Sequence, residues 1–231
     1  MGATLRSRHR ARRSARDHAV RHCPMANERS GLFDRWSAVY DRPRFQNTTY
    51  RPVHDAVLAR LTGTQPEVVL DLGCGTGQLT QRLTEQFPDA EVVGIDYSVG
   101  MLDEASDRVG IRADLVRADT QYLPLRSASA DVVVCTESFH WYEDQRRALA
   151  EIAAVLRPCG QLVIASIAAV TDVGESAVRR LSAAGGQPVR ALTPRRLRDL
   201  VTEAGFEVVH QRRVTRFGFV PWPVLTDARL R

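Results

Sequence analysis

Short continuous apolar runs alternate along the chain with apolar residues at helical spacing. The short runs predict strands at residues 68–72, 91–95, 115–117, 131–135, 161–168 and 207–213. The helical spacing predicts helices from Pro52, over 79–87, over 101–109, over 149–156 up to Pro158-Cys159-Gly160, and from Thr193-Pro194 to Gly205. Strands that alternate with helices predict an α/β fold with a doubly wound, mostly parallel sheet.

The N-terminal part of the chain differs from this pattern. Residues 1–25 carry seven arginines and one acid, which predicts a disordered basic extension, followed by one domain over residues 26–231. The net charge of +5 is concentrated in this extension, so the folded part is nearly neutral, which argues against nucleic acid as a partner. An apolar stripe that needs a partner surface follows at Leu32, Phe33, Trp36, Val39 and Tyr40.

Composition excludes several classes of protein. No run approaches the 18 apolar residues of a membrane-spanning helix, so we expect no membrane span. The four cysteines, at positions 23, 74, 135 and 159, form no CxxC pair, and no Cys/His spacing is typical of a metal site. We therefore expect neither metal nor disulfide scaffold, and a cytoplasmic location.

A glycine-rich turn follows the first predicted strand. The sequence Asp71-Leu72-Gly73-Cys74-Gly75-Thr76-Gly77 has GxGxG spacing, with Gln78 where a dinucleotide fingerprint requires a third glycine. A carboxylate beside this turn would repel a pyrophosphate, whereas it suits a ligand that carries an ammonium group. The turn therefore favours a ligand of this kind over a dinucleotide.

Two further acids end the next two strands. Asp96 closes the second strand, where a carboxylate can accept hydrogen bonds from both hydroxyls of a ribose. Asp119 follows the third strand, beside Thr120, where it can accept from an adenine amino group. Carboxyl ends of parallel strands meet at one edge of the sheet, so we expect both acids near the glycine turn.

These segments resemble the class I S-adenosylmethionine-dependent methyltransferases, specifically the small-molecule group that includes quinone-biosynthesis enzymes. The resemblance spans about residues 32–213 and is carried by DLGCGTG (71–77), GIDYS (94–98), the Asp119 loop, AEIAAVLRPCGQL (150–162) and WSAVYD (36–41). It implies a Rossmann-like seven-stranded sheet with the last strand antiparallel. It also implies transfer of a methyl group from S-adenosyl-L-methionine to a small molecule.

The resemblance further implies which residues contact the cofactor. Tyr97 and Met101 would flank the adenosine, and Tyr40 would cover the methionine end. The complete predicted cofactor site is Tyr40, Asp71, Gly73, Cys74, Gly75, Thr76, Gly77, Asp96, Tyr97, Met101, Asp119, Thr120 and Thr136.

The loop after the fourth strand should lie closest to the transferred methyl group. It contains His140, a candidate general base because imidazole titrates near neutral pH, and Glu137, a second candidate. His140 between Phe139 and Trp141 also suits a structural role in the pocket wall, which we favour because methyl displacement from sulfonium depends mainly on positioning.

Two alternatives remain besides methylation of a small molecule. One is a non-catalytic, cofactor-binding regulatory protein with a methyltransferase-like fold, and the other is an RNA methyltransferase that uses the basic extension. The sequence leaves open the acceptor, the choice of O-, N- or C-methylation, and the oligomeric state.

Overall fold

The computed structural model describes residues 49–184, 188–215 and 223–231. Its strands are β1 (Val68–Leu72), β2 (Glu91–Asp96), β3 (Asp114–Arg117), β4 (Ala130–Thr136), β5 (Leu156–Ile167), β6 (Phe206–Arg213) and β7 (Pro223–Leu230). Its α-helices are α1 (Arg51–Arg60), α2 (Gln78–Gln86), α3 (Val99–Val109), α4 (Gln145–Val155), α5 (Asp172–Ala184) and α6 (Pro194–Glu203). Single 3-10 turns occupy Gly110–Arg112 and Phe139–Trp141.

The seven strands form one sheet in the order β3-β2-β1-β4-β5-β7-β6. Strands β1 to β5 pair in parallel, whereas β7 runs antiparallel to both β5 and β6. The expected α/β sheet and its antiparallel last strand are therefore confirmed. The chain proceeds from β1 to β2 on one side and later returns to place β4 on the other, so the topological switch point lies between β1 and β4.

Helices cover both faces of the sheet. One apolar core packs the sheet against α4 and α6, and its buried residues include Leu149, Ile152 and Val201. The second packs the opposite face against α1 and α2, through residues such as Val57 and Leu83. Burial on both faces explains why β1 and β4 read as continuous apolar runs and not as alternating ones.

A buried polar cluster joins α1 to strands β5 and β7 of the sheet. The Asp227 carboxylate on β7 accepts from Arg60 Nε at 2.8 Å and from Gln161 Nε2 on β5, also at 2.8 Å. The Asp227 side chain is only 3% exposed, whereas that of Arg60 is 36% exposed. The cluster therefore combines a buried carboxylate with an arginine that reaches solvent.

One expected element boundary was wrong, and two elements had no residues assigned to them. The fourth predicted helix ends at Val155, because Leu156 pairs with Ala130 of β4 and begins β5. Pro158, Cys159 and Gly160 consequently lie within the strand segment, where Cys159 adopts φ +63°. Helix α5 had not been expected, and the antiparallel seventh strand that the resemblance implied had not been assigned to residues 223–230.

Several expectations fall outside the described residues. They concern the basic extension, the boundary at residue 26, the apolar stripe and Tyr40. Among the described residues no helix is long and apolar enough to span a membrane. The same residues contain no cluster of three or more His, Cys, Asp or Glu side chains that could hold a metal ion.

Candidate active site

The glycine turn connects β1 to α2 at the switch point. Gly73, Gly75 and Gly77 all have positive φ angles, of +68°, +54° and +75°. The amides of Gly73 and Cys74 both donate to the carbonyl of Ile95, at 2.7 and 3.1 Å, which ties the turn to the end of β2. A Cβ atom at Gly73 would lie 2.3 Å from Ser138 Cβ, so the turn passes directly against the loop after β4.

Asp96 lies beside this turn, as expected. One carboxylate oxygen accepts from the Gly75 amide and the other from the Ser98 amide, each at 2.9 Å. The residue is 9% exposed. A carboxylate oxygen can accept more than one hydrogen bond, so these contacts are compatible with Asp96 also accepting from the hydroxyl groups of a ligand. The structure thus joins the glycine turn and Asp96 into one unit.

Asp71 lies deeper than the other acids. It is 1% exposed, and its carboxylate accepts from Thr80 Oγ1 on α2 at 2.7 Å. Burial raises the pKa of Asp71 to about 7, the Thr80 hydrogen bond lowers it, and the charge of Asp96 raises it further. The structure therefore places Asp71 beneath the turn, and its contact with a ligand's ammonium group stays a prediction.

Cys74 and Thr76 are also buried within the turn. Burial raises the pKa of the Cys74 thiol well above its usual value, so the thiol stays protonated. A Cβ atom built on Gly94 would lie 3.1 Å from Cys74 Sγ, so this side chain packs against β2. The carbonyl of Thr76 accepts from Arg108 Nε at 2.8 Å. Because the side chains of Cys74 and Thr76 are buried, the backbone of the turn is the part suited to contact a ligand.

The loop after β3 carries Asp119 and Thr120. Both Asp119 oxygens lie 3.1 Å from the Gln121 side-chain amide nitrogen, and one also accepts from the Gln121 backbone amide at 2.8 Å. Thr120 is buried, and its hydroxyl donates to Tyr142 Oη at 3.1 Å. The predicted adenine acceptor is therefore held in place by its neighbour, which sequence reasoning did not single out.

The remaining predicted residues surround the same edge. Tyr97 is half-buried directly after β2, and Met101 is 3% exposed in α3, where its amide donates to Ser98 Oγ. Thr136 ends β4, and its buried hydroxyl oxygen has no hydrogen-bond partner among the described residues. A buried polar atom without a partner is costly, so an additional ligand beside Thr136 would satisfy it.

A buried network that sequence reasoning missed supports this edge. Ser138 Oγ donates to the Leu72 carbonyl at 2.9 Å and lies 3.1 Å from Cys135 Sγ and 3.3 Å from Tyr142 Oη. Burial raises the pKa of Cys135 to about 11 and that of Tyr142 well above its usual value. Both groups therefore stay neutral, and their hydrogen bonds join the ends of β1, β3 and β4.

His140 is enclosed in the protein. It is 2% exposed, and its Nδ1 lies 3.1 Å from Ser166 Oγ on β5. The centre of its ring lies 5.0 Å from the centre of the Trp141 ring. Glu137, the second candidate base, is half-buried and adopts φ +56°, an uncommon conformation that is enriched at functional sites.

A basic cavity beside the start of α2 was also missed. It encloses about 260 Å³ and is lined by Arg51, His54, Gln78, Gln81, Arg82, Glu85 and Arg108. Burial lowers the pKa of His54 to about 4, and the neighbouring charge of Arg82 lowers it as well, so the imidazole is neutral at pH 7. Arginines from three separate helices had to be brought together by the fold before this cavity could be recognised.

Comparison with known proteins identifies the family. Residues 70–164 match the methyltransferase domain model. This range includes the glycine turn, the acids Asp71, Asp96 and Asp119, and most of β5. An uncharacterized methyltransferase of Geobacillus kaustophilus is 32% identical over 62% of this chain and 69% of its own length. The chain belongs to the class I methyltransferases. S-adenosylmethionine is the cofactor of this family.

Two further relatives of this methyltransferase have named acceptors. A malonyl-[acyl-carrier protein] O-methyltransferase of Geobacter sulfurreducens is 34% identical over 58% of this chain and 50% of its own length. A trans-aconitate 2-methyltransferase of Methylobacterium radiotolerans is 28% identical over 80% of this chain and 77% of its own length. The chain thus spans half the length of the first of these relatives and about three quarters of the second.

The fold agrees with this assignment. The N-methyltransferase NodS of Bradyrhizobium japonicum, solved with S-adenosyl-L-homocysteine, superimposes with a TM-score of 0.70 at 19% identity over 87% of this chain and 97% of NodS. A Cβ atom at Gly75 would meet no atom of the described residues within 4 Å. This space beside Asp96, together with the Thr136 hydroxyl that has no partner in the same part of the chain, fits a bound nucleoside.

Proposed function

We propose that this methyltransferase transfers a methyl group from S-adenosylmethionine to a small-molecule acceptor. The observation that carries the proposal is the hydrogen bond from the Gly75 amide to Asp96, which fixes an acid against a glycine turn with open space above it. When bound, the cofactor supplies a methyl group on a positively charged sulfur. The protein's own contribution is to position the two reactants and to exclude water.

The main residues of the predicted cofactor site have distinct proposed roles. Asp96 accepts the ribose hydroxyls, and Asp119 accepts the adenine amino group. The half-buried ring of Tyr97 and the buried Met101 flank the adenosine. The turn's backbone approaches the ligand closely, and Asp71 and Thr136 line the methionine end. Tyr40 keeps its proposed place over that end.

We further propose that the acceptor atom is an oxygen of a carboxylic acid. A carboxylate is already ionised at neutral pH, so the enzyme needs no general base to activate it. This agrees with the enclosure of His140 and with the raised pKa values of Cys135 and Tyr142. It also agrees with the named relatives, because a malonyl thioester and trans-aconitate both carry carboxyl groups. The reaction then produces a methyl ester, in the cytoplasm.

The test uses S-adenosylmethionine with a tritium-labelled methyl group. The full chain is incubated with a panel of mono-, di- and tricarboxylic acids, a panel of amines, and total RNA. Products are then treated with alkali, which releases labelled methanol from methyl esters but not from N- or C-methyl groups. Ester formation supports the proposal. Labelled RNA would support the RNA alternative, and cofactor binding without turnover on any pool would support a regulatory protein.

Replacing Asp96 should weaken cofactor binding. We expect Asp96→Ala to lower the affinity for S-adenosylhomocysteine by about 1–3 kcal/mol, because charge-assisted hydrogen bonds to the ribose are lost. Isothermal titration calorimetry measures the effect, and Asp103→Ala, an exposed acid on α3, is the matched control. Equal affinity in the Asp96 variant and the parent would show that the ribose assignment is wrong.

Replacing His140 should affect stability more than chemistry. We expect His140→Ala to lower the free energy of unfolding by about 1–3 kcal/mol, because a buried hydrogen bond and packing volume are lost. The acidic limb of the rate against pH should stay unchanged. His210→Ala, on β6, controls for loss of an imidazole elsewhere. A hundredfold lower rate at unchanged cofactor affinity would instead establish His140 as a general base.

A further inference from the structure

The loop after β3 contains a glutamine whose side chain makes contacts in two directions. The Gln121 side-chain nitrogen lies 3.1 Å from each oxygen of Asp119. Its side-chain oxygen accepts from the Asp144 amide at 2.7 Å. Gln121 therefore connects the carboxylate of Asp119 to the start of α4.

The start of α4 is itself well anchored to this loop. Asp144 caps the helix by accepting from the Arg147 amide at 2.9 Å. Arg147 Nε donates to the Gln121 carbonyl at 2.8 Å, and the Arg147 guanidinium lies 4.0 Å above the centre of the Tyr122 ring. Thr120, on the other side of Gln121, is bonded to Tyr142. Hydrogen bonds to Tyr142 and to the start of α4 thus anchor the loop that carries the Asp119 carboxylate.

We propose that Gln121 is the positioning residue that makes Asp119 selective for the adenine amino group. A carboxylate on a loop can otherwise rotate about its terminal bond, and that freedom would be lost only when a ligand binds. Because the Gln121 amide contacts both oxygens, the plane of the carboxylate is fixed before the ligand arrives. The inference rests on the proposed cofactor site.

A fixed carboxylate distinguishes two nucleosides that differ at one position. Adenine presents an amino group, which donates a hydrogen bond to Asp119. Hypoxanthine presents a carbonyl oxygen at the same place, which is repelled by a carboxylate that cannot turn away. A site built to accept a hydrogen bond discriminates strongly against a ligand that cannot donate it. Loss of Gln121 should therefore reduce selectivity as well as affinity.

The experiment compares S-adenosylhomocysteine with S-inosylhomocysteine by isothermal titration calorimetry on the full chain. The parent should bind the adenosine compound more tightly. Gln121→Met keeps the length of the side chain but removes its amide, and it should weaken binding of the adenosine compound about tenfold. Its affinity for the inosine compound should change less than twofold. Gln121→Leu should repeat the result, because it also lacks the donating amide and adds no charge beside Asp119.

Gln86→Met is the matched control. The Gln86 side-chain amide also donates a hydrogen bond, in its case to the Leu58 carbonyl, but it lies at the end of α2 away from this loop. This variant should retain the parent's selectivity. Equal losses for both ligands in the Gln121 variants, or no loss at all, would overturn the inference. A parent that binds the two ligands equally would overturn it while leaving the proposed function intact, whereas a parent that binds neither would overturn both.

Discussion

Gly73→Ala should destabilise the protein by about 3 kcal/mol or more. Two effects add at this position. The backbone angle φ of +68° costs a residue with a side chain about 1–2 kcal/mol. The new methyl group would also lie 2.3 Å from Ser138 Cβ, and Ser138 cannot move aside easily because its hydroxyl bonds the Leu72 carbonyl. Forced overpacking of this kind typically costs about 1–3 kcal/mol. Urea denaturation measures the loss.

Two other glycines separate these effects. Gly63→Ala has a similar backbone angle, +84°, but its Cβ would meet no atom of the described residues within 4 Å, so it reports the backbone cost alone. The Cβ of Gly75→Ala likewise meets no atom in the part of the chain that the structure describes, and the substitution should weaken binding of S-adenosylhomocysteine much more than it lowers stability. If Gly73→Ala were no less stable than Gly63→Ala, the close approach to Ser138 would not matter to the fold.

Arg60→Met should destabilise the protein by about 3–5 kcal/mol, although Arg60 is the more exposed partner of its ion pair. The substitution leaves the Asp227 carboxylate 3% exposed and without a positive charge, and removing one member of a buried pair has this typical cost. Asp227→Leu should be less harmful, because Arg60 can still reach water. Chemical denaturation of each variant, and of the double variant Arg60→Met/Asp227→Leu, measures the difference. The double variant should be more stable than Arg60→Met alone.

Arg82→Met provides the control for this prediction. Arg82 is 30% exposed, close to the value for Arg60, but its partner Asp55 is 55% exposed. Surface ion pairs typically contribute about 0–1 kcal/mol, so the loss should be small. Similar losses in Arg60→Met and Arg82→Met would show that burial of the carboxylate does not determine the cost.

The central strands were predictable because burial on both faces of a parallel sheet requires continuous apolar runs. The apolar pattern did not reveal where the implied seventh strand lies, because β7 contains the buried polar residues Thr226 and Asp227. Asp227 is stabilised there by Arg60 and Gln161, which lie elsewhere in the chain. Helix α5 was not predicted, because its apolar residues do not form a stripe that is buried against the sheet. Val173 and Leu181 are 80% and 77% exposed.

The parts of the candidate site that depend on local sequence order, such as an acid at the end of a strand, could be predicted. Asp96 follows a strand, and parallel strands end at one edge, so its position beside the glycine turn followed from the sequence. The roles of Gln121, Ser138 and Tyr142 depend on contacts between loops that are far apart in the chain. Local spacing carries no signal for such contacts, and only the packed fold reveals them.

The position of β7 has a consequence for synthesis of the protein on the ribosome. Strand β6 pairs with β7 alone among the described strands, and β7 also covers the outer edge of β5. Translation therefore completes β5 and β6 before the strand that joins them exists. Until residues 223–230 emerge, the nascent chain carries an open sheet edge and an unpaired strand, the features that favour edge-to-edge association and recruit chaperones.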